Sequence, residues 1–379
     1  MGASLDDETK LSWLQLARTP RIGPITFRNL IERFGSAEEA LKALPEIARS
    51  GGGKPPALPD RSMLAQEIET AQDAGIRYIA LPDIDYPPLM RQIPDPPPVL
   101  LIRGDTKMTA ARAIAVVGSR NASVAGQKTA STISRDLGSA GCAIVSGLAR
   151  GIDTAAHKAS LPTGTVAVLA GGHARIYPKE NESLYYDIIE NGGAIVSEMP
   201  PWAEPRAKDF PRRNRLISGL SIATLIVEAA LRSGSLITAR TALEQDRDVF
   251  AIPGSPLDPR AEGCNRLIRD GARLVRNAED ILEDLNTGLS VVPPLFPEEP
   301  AQFNAAPSRT SATTGTDIVR ATILSSLSVT PVAIDDVVRE TGFGTGDVLA
   351  ALADLEIAAK VTRHGGHRVS LAIQPDDTP

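Results

Sequence analysis

The sequence predicts a doubly wound α/β protein with a small all-helical domain before it and a winged helix after it. Three observations predict this. Between residues 99 and 275, short apolar, β-branched runs alternate with glycine turns and helical patterns, as strands covered on both faces of a parallel sheet do. Ahead of that stretch, residues 9–48 carry helical periodicity cut by Gly23-Pro24 and Gly35-Ser36. Behind it, residues 316–372 fit three helices and two short strands joined by His364-Gly-Gly-His367, the element order of a winged helix.

Composition limits the function classes. A chain of 379 residues, 42% hydrophobic, is long enough for two or three domains with at least one sizeable core. A formal charge of −6 excludes nucleic-acid binding through bulk charge and leaves room only for a local basic groove. Cys142 and Cys264 stand far apart and lack metal-site spacing, so no disulfide framework, zinc site or other metal is expected, and no motif calls for a cofactor. The acidic start Met1–Lys10 has no apolar signal core, and no apolar run approaches the roughly 18–20 residues of a membrane span. A cytoplasmic protein without membrane contact is the expectation.

In order along the chain, residues 1–80 form the helical domain, with helices in 9–48 and a further one over 62–74. Its Gly-Pro turn resembles a helix-hairpin-helix or SAM-like unit, and Gly51-Gly-Gly-Lys-Pro-Pro56 reads as a flexible joint. Prolines hold 82–98 extended up to a short strand, Val99–Arg103. The α/β domain fills 81–286. Its further strands are placed at 113–117, 143–146, 165–170, 194–197, 222–227, 248–252 and 273–275, and its helices at 126–138, 153–159, 181–190, 213–219 and 238–245. Residues 287–315 hold five prolines and no periodic pattern, which predicts a linker. The winged helix occupies 316–372, and 373–379 is a tail.

Ligands of a doubly wound sheet bind beyond the carboxyl ends of its strands. Here those ends are Gly118-Ser-Arg-Asn-Ala-Ser123, Ser146–Asp153, Gly171-Gly172, Ser197-Glu198, Glu228 through Ser235, and Pro253-Gly-Ser255. Glycines allow close backbone approach, while serines and helix N-termini supply donors to phosphate. The densest cationic stretch opens a helix on the same rim. Arg206, Lys208, Arg212, Arg213 and Arg215 stand against one acid, Asp209, around the ring of Phe210. By itself such a cluster fits a solvated turn; on a rim with Gly118-Ser-Arg120 and Tyr177-Pro-Lys179 it forms one wall of an anion groove. No G-x-G-x-x-G follows the first strand of the parallel series and no G-x-x-x-x-G-K-[ST] occurs, so neither dinucleotide binding nor P-loop hydrolysis is indicated. Arginines and a ring spread over separate loops suit a polyanion carrying bases.

Taken together, Gly118-Ser-Arg120, Ser146–Asp153 with His157, Tyr177-Pro178 with Asn181, Phe210-Pro-Arg-Arg-Asn-Arg215, Ser233-Gly-Ser235 and Pro253-Gly254 resemble the DprA (Smf) family of DNA-processing proteins. The resemblance runs from about residue 83 to 286 and extends to both flanking domains. It implies a Rossmann-like domain that binds single-stranded DNA and dimerises, loading of RecA recombinase onto incoming strands in natural transformation, and no catalysis. Carried over by position, Arg120, Lys179, Phe210 and Arg212 are the implied DNA contacts, with Gly118, Ser119, Lys208, Arg213 and Arg215 as further candidates.

Other readings bound this one. A nucleotide sensor or nucleotide hydrolase of a related fold is the alternative, but the Gly-Gly-x-Gly-Thr-x-x-Glu turn expected of such hydrolases is replaced by Gly171-Gly-His-Ala-Arg175. Glu198 and Glu228 are expected to orient arginines, since no nucleophile–base set accompanies them. Arg150 and Asp153 either face the ligand or pair with each other, His157 is a packing residue, and Asn214 fixes loop geometry. The predicted recognition helix, Gly346–Glu356, has three acids and no base, which favours protein contact over duplex DNA.

Overall fold

The computed structural model describes residues 5–289, 313–364 and 367–372. Its described residues fall into two compact units, one within Glu67–Pro300 and the other within Leu5–Gln66 and Ala301–Pro379. Most of the predicted linker, the tail and the Gly365-Gly366 turn lie outside the described residues.

The first unit is built on nine strands: β1 (Ile76–Ala80), β2 (Val99–Gly104), β3 (Ala113–Gly118), β4 (Ala143–Ser146), β5 (Thr165–Val168), β6 (Ala194–Ser197), β7 (Ala223–Val227), β8 (Asp248–Ala251) and β9 (Arg273–Leu274). Their order across the sheet is β1-β2-β6-β5-β4-β3-β7-β8-β9. From β6 to β9 neighbours run parallel, while β1 and β2 are antiparallel additions at one edge. The chain winds from β3 through β4 and β5 to β6, then returns to the other side of β3 to lay down β7, β8 and β9. The winding direction thus reverses between β3 and β7.

The continuous apolar runs have the reason given for them. Along β3, Ala113, Ala115 and Val117 enter one core and Ile114 and Val116 the other. Helices Asp209–Gly219 and Gly234–Glu244 cover the first face through Leu216, Ile217, Leu220, Ala239 and Ala242. Helices Val124–Ser139, Ile152–Ser160 and Ala278–Leu289 cover the second through Ile133, Leu137, Ile152 and Ile281. Each such Leu, Ile or Val taken out of water contributes about 1.5–3 kcal/mol.

Two expectations change. Strand β1 was not anticipated, and the sheet begins before residue 81, where the sequence reading placed the domain boundary. Gly75-Ile-Arg-Tyr-Ile-Ala-Leu81 is too short for its period to stand out between a helix and Pro82, and pairing with β2 decides it. The helix carrying the basic cluster starts at Asp209 rather than Arg213, because Pro211 is accommodated in its first turn, where a missing N–H is not needed.

The second unit contains the helices Asp7–Arg18, Pro24–Phe34 and Ala37–Ser50 and the winged helix. Asp6 and Ser36 cap the first and third helices by accepting from Thr9 N–H (2.8 Å) and Glu39 N–H (3.2 Å), and Pro24 opens the second. The winged helix comprises helices Thr313–Ser326, Ile334–Thr341 and Thr345–Ile357 and a three-stranded antiparallel sheet, β10 (Val332–Ala333), β11 (Val361–His364) and β12 (Arg368–Leu371), in the order β10-β12-β11.

Two buried histidines in the first unit are held neutral. Thr165 Oγ1 donates to Ile144 O (2.8 Å), so His157 Nδ1–H donates to Thr165 Oγ1 (2.7 Å) and Nε2 accepts from Leu148 N–H (3.4 Å). In His173, Nε2–H donates to Leu101 O (3.2 Å) and Nδ1 accepts from the Tyr185 hydroxyl (3.0 Å). Burial lowers the two pKa values to about 3 and about 4. Unfolded histidine titrates near 6.5, so below that pH the unfolded chain binds protons that the native protein refuses. Stability therefore falls as pH drops from about 6.5, by up to about 1.4 kcal/mol per pH unit for each histidine. The urea midpoint is expected to be lower at pH 5 than at pH 7, and His173→Gln should flatten that dependence.

Candidate functional site

The reversal between β3 and β7 opens a crevice at the carboxyl ends of the strands, the position where doubly wound sheets bind ligands. A cavity of about 650 Å³ lies there. Its wall comes from the end of β3 (Val117–Asn121), from Ala149 and Asp153 after β4, from the first turns of helix Asp209–Gly219, and from Ala230 through Thr238 after β7. Two helices thus point their N-termini at one space. Unsatisfied N–H groups and the positive end of each helix dipole make such a space attractive to anions. Three arginines, Arg120, Arg213 and Arg232, line it against one acid, Asp153.

Arg120 and Phe210 form the centre of the rim. The Arg120 guanidinium sits 4.8 Å from the centroid of the Phe210 ring, and Tyr177 meets the same ring edge-on at 5.7 Å. The aromatic ring is therefore already sandwiched in a cation–π and edge contact rather than standing alone. The Tyr177–Pro178 peptide is cis, and Lys179 after it begins a short 3-10 turn that leads into helix Glu182–Glu190.

The basic cluster separates into distinct roles. Arg213 is buried, and its Nη1 donates to the carbonyls of Gly147 (2.6 Å) and Val168, at the ends of β4 and β5. A Cβ at Gly147 would lie 2.7 Å from that guanidinium, so the close approach needs glycine. Arg215 is also buried, pairing with Glu198 (2.5 Å) and donating to Asp95 O (2.6 Å). These two, included among the candidate DNA contacts, are both anchored to protein acceptors inside the fold, and Arg213 lines the cavity as well. Arg212 is half exposed and is held by Glu198 Oε1 at 2.8 Å, so Glu198 orients both Arg212 and Arg215.

Of the sequence-predicted residues, Gly118, Ser119, Arg120, Phe210 and Arg213 reach the cavity wall, whereas Lys179, Lys208, Arg212 and Arg215 are not part of it. Lys179 and Lys208 are exposed beside it. Gly118 serves packing as well, since a side chain there would collide with Val227 O and Ile152. Arg232 was missed. It is exposed on the loop just before Ser233, which caps helix Gly234–Glu244 by accepting from Ser235 N–H (3.3 Å). A base directly before a Gly-Ser helix start and after a strand was the available signal.

The carboxylates around the crevice are engaged. Asp153 accepts from Gly147 N–H (3.0 Å) and Ala149 N–H (3.3 Å), and burial raises its pKa despite nearby Arg213. It does not pair with Arg150, which lies 3.8 Å from Glu180. Glu228 accepts from the Ser123 backbone N–H (2.8 Å) and from the Ser123 hydroxyl. Asn214 donates to Gly234 O (3.1 Å), fastening the two cavity-facing helices together. Burial lowers the pKa of Arg213 to about 10, which leaves it charged at neutral pH.

Architecture and site together define a three-part protein, a doubly wound domain with a cationic crevice at its winding reversal accompanied by a helical domain and a winged helix. Family models place it further. The model described as DNA recombination-mediator protein A matches residues 77–286, the DprA-like N-terminal HHH domain matches 7–70, and the DprA winged helix domain matches 306–367. Protein Smf of Escherichia coli is 41% identical over 288 residues, covering 76% of this chain and 75% of that protein. DNA processing protein DprA of Bacillus subtilis is 42% identical over 59% of this chain and 75% of its own length. The X-ray structure of DprA from Streptococcus pneumoniae superposes with a TM-score of 0.63 at 33% identity, covering 74% of this chain and 99% of that one. A Helicobacter pylori DprA structure, whose subject is a single-stranded DNA binding mode, gives a TM-score of 0.51 at 30% identity over 56% of this chain and 97% of its own. The chain belongs to the DprA (Smf) family.

The division of labour among the arginines is measurable. Arg213→Met strips buried Asp153 of its nearest compensating cation and empties two carbonyl acceptors, so it should lower unfolding free energy by about 3–5 kcal/mol in urea titrations. Arg212→Met, at a half-exposed position, should cost no more than about 1 kcal/mol.

Proposed function

We propose that the crevice binds single-stranded DNA and that the protein acts without catalysis as a recombination mediator, passing the bound strand to RecA recombinase. The observation that carries the reading is the Arg120–Phe210 pair on a cavity flanked by two helix N-termini. A phosphate can take the guanidinium and the helix N–H groups, while an unpaired base can stack on the Arg120–Phe210 layer, and stacking of that kind contributes about 1–3 kcal/mol per base. Arg232 adds a second exposed cation to the cavity wall, from the loop after β7, and Lys179, Lys208 and Arg212 extend the positive surface outward. The single-strand subject of the H. pylori relative supports the same ligand. Transfer to RecA, participation in natural transformation and a homodimer formed through the α/β domain are proposed with it, and family membership supports them.

Against the alternative of nucleotide hydrolysis stands the engagement of Asp153, Glu198 and Glu228 by backbone N–H, arginine and serine donors. Among the described residues no group of His, Cys, Asp and Glu could hold a metal ion, and no helix is long and apolar enough to cross a membrane.

Titrations of fluorescent oligo-dT across a salt series test the reading. Arg120→Ala and Arg232→Ala should each weaken binding of every sequence and reduce the log–log salt slope by about 0.7. Phe210→Ala should weaken binding by about 1–3 kcal/mol. Because Arg120 rests on that ring, the double variant should lose less than the sum of the two single losses. Wild-type binding by all three variants sinks the assignment. Release of free base from a nucleoside monophosphate by the purified protein would instead establish the hydrolase. RecA-driven strand exchange, accelerated by the wild type and not by Arg120→Ala, checks the mediator role.

A further inference from the structure

The recognition helix of the winged helix, Thr345–Ile357, is occupied at its C-terminal end. Its core-facing residues Val348, Ala351, Leu352 and Leu355 pack within the winged helix. At its C-terminal end the remaining sides are buried too: Ala353, Asp354, Ile357 and Ala358 are all nearly inaccessible. Ile357 belongs to the core formed by Leu16, Phe27, Leu30, Leu41 and Leu44 of the N-terminal helices.

Two of the three acids that looked unsuited to a DNA-reading helix, Asp354 and Glu356, have partners. Asp354 Oδ1 accepts from Arg33 Nη1 at 2.9 Å, and its other oxygen accepts from Arg320 of the winged helix itself. Glu356 accepts from the Thr26 hydroxyl at 2.5 Å and lies 3.3 Å from Arg363 Nε on β11. Arg363, the wing base that could have reached a phosphate, is thereby turned inward. Burial raises the pKa of Glu356 and lowers that of Arg363, so the pair is removed from water.

The Gly51-Gly-Gly53 stretch, expected as a joint, is a seat. A Cβ at Gly53 would lie 2.6 Å from the Ala358 Cα and overlap its carbonyl oxygen, and one at Gly51 would lie 2.7 Å from the Ala358 Cβ. The backbone of the glycine run lies against the end of the recognition helix at a distance that excludes any side chain.

We propose that this recognition helix is a protein-docking surface whose occupant is the chain's own N-terminal helical domain, so that the two ends of the sequence clasp each other and the helix is withheld from duplex DNA. Shape, charge and chain order agree on that occupant. The glycine seat matches Ala358, Arg33 and Thr26 match the two acids, and Ile357 completes a core that the three N-terminal helices leave open. With its last turn buried against the N-terminal helices, the helix cannot lay its whole length in a major groove.

A specific protease site inserted between residues 300 and 310 of the full-length protein tests the clasp. After cleavage, the C-terminal fragment should co-elute with the remainder on size exclusion. Gly53→Leu, whose Cβ would collide with Ala358, should weaken fragment association about tenfold or more. Arg33→Asp, at a partly exposed position, should weaken it as well, and unchanged circular dichroism of both fragments shows that folding is intact. Separation of the wild-type fragments overturns the proposal, and so does a Gly53→Leu protein whose fragments stay together as tightly as wild type.

Discussion

One buried cation organises the crevice-facing edge of the α/β domain. The Arg213 guanidinium bridges the carbonyls that end β4 and β5 and compensates Asp153, which in turn holds the Gly147 and Ala149 amides. It reaches them from the first turns of the helix that also presents Phe210. Loops following two adjacent strands and the helix opposite are thereby fixed to one point. Removing water from a guanidinium is costly, and the fold offsets that cost with carbonyl acceptors and a carboxylate placed at the end of the sheet.

With that frame in place, the crevice requires few further residues. Arg120 follows β3 and lies over Phe210, while Tyr177 closes the ring from its edge. Arg232 arrives from the loop after β7. The winding reversal explains why these loops meet: β3 and β7 are neighbours in the sheet although more than a hundred residues separate them in the chain. Helix N-termini converge on the same place for the same topological reason.

The second unit shows acidic residues used in the opposite sense. An acidic recognition helix is repelled by a phosphate backbone, but the same Asp354 and Glu356 are suitable acceptors for Arg33 and Thr26. A helix-turn architecture usually associated with duplex reading is here turned to protein contact, and the glycine run at 51–53 permits the approach.

By itself the sequence determined the strand series from β2 to β9, the winged helix, the rim on which small and charged residues gather, and Arg120 and Phe210 as members of that rim. It could do so because continuous apolar runs, glycine turns and helix starts are local signals. It ranked Arg212 above Arg213 and Arg215 as a ligand contact but left open whether the latter two face the ligand or support the loop, since all three stand within one helical turn. Only the tertiary structure assigned them, by putting Gly147 and Val168 before one and Glu198 before the other two. Strand β1, Arg232 and the seat at Gly53 were settled the same way, since each depends on what lies across space from it: β2, the mouth of the crevice, and Ala358. Side-chain partners supplied by remote segments leave no periodic trace in the chain, and burial decides whether a cation faces solvent or a carbonyl.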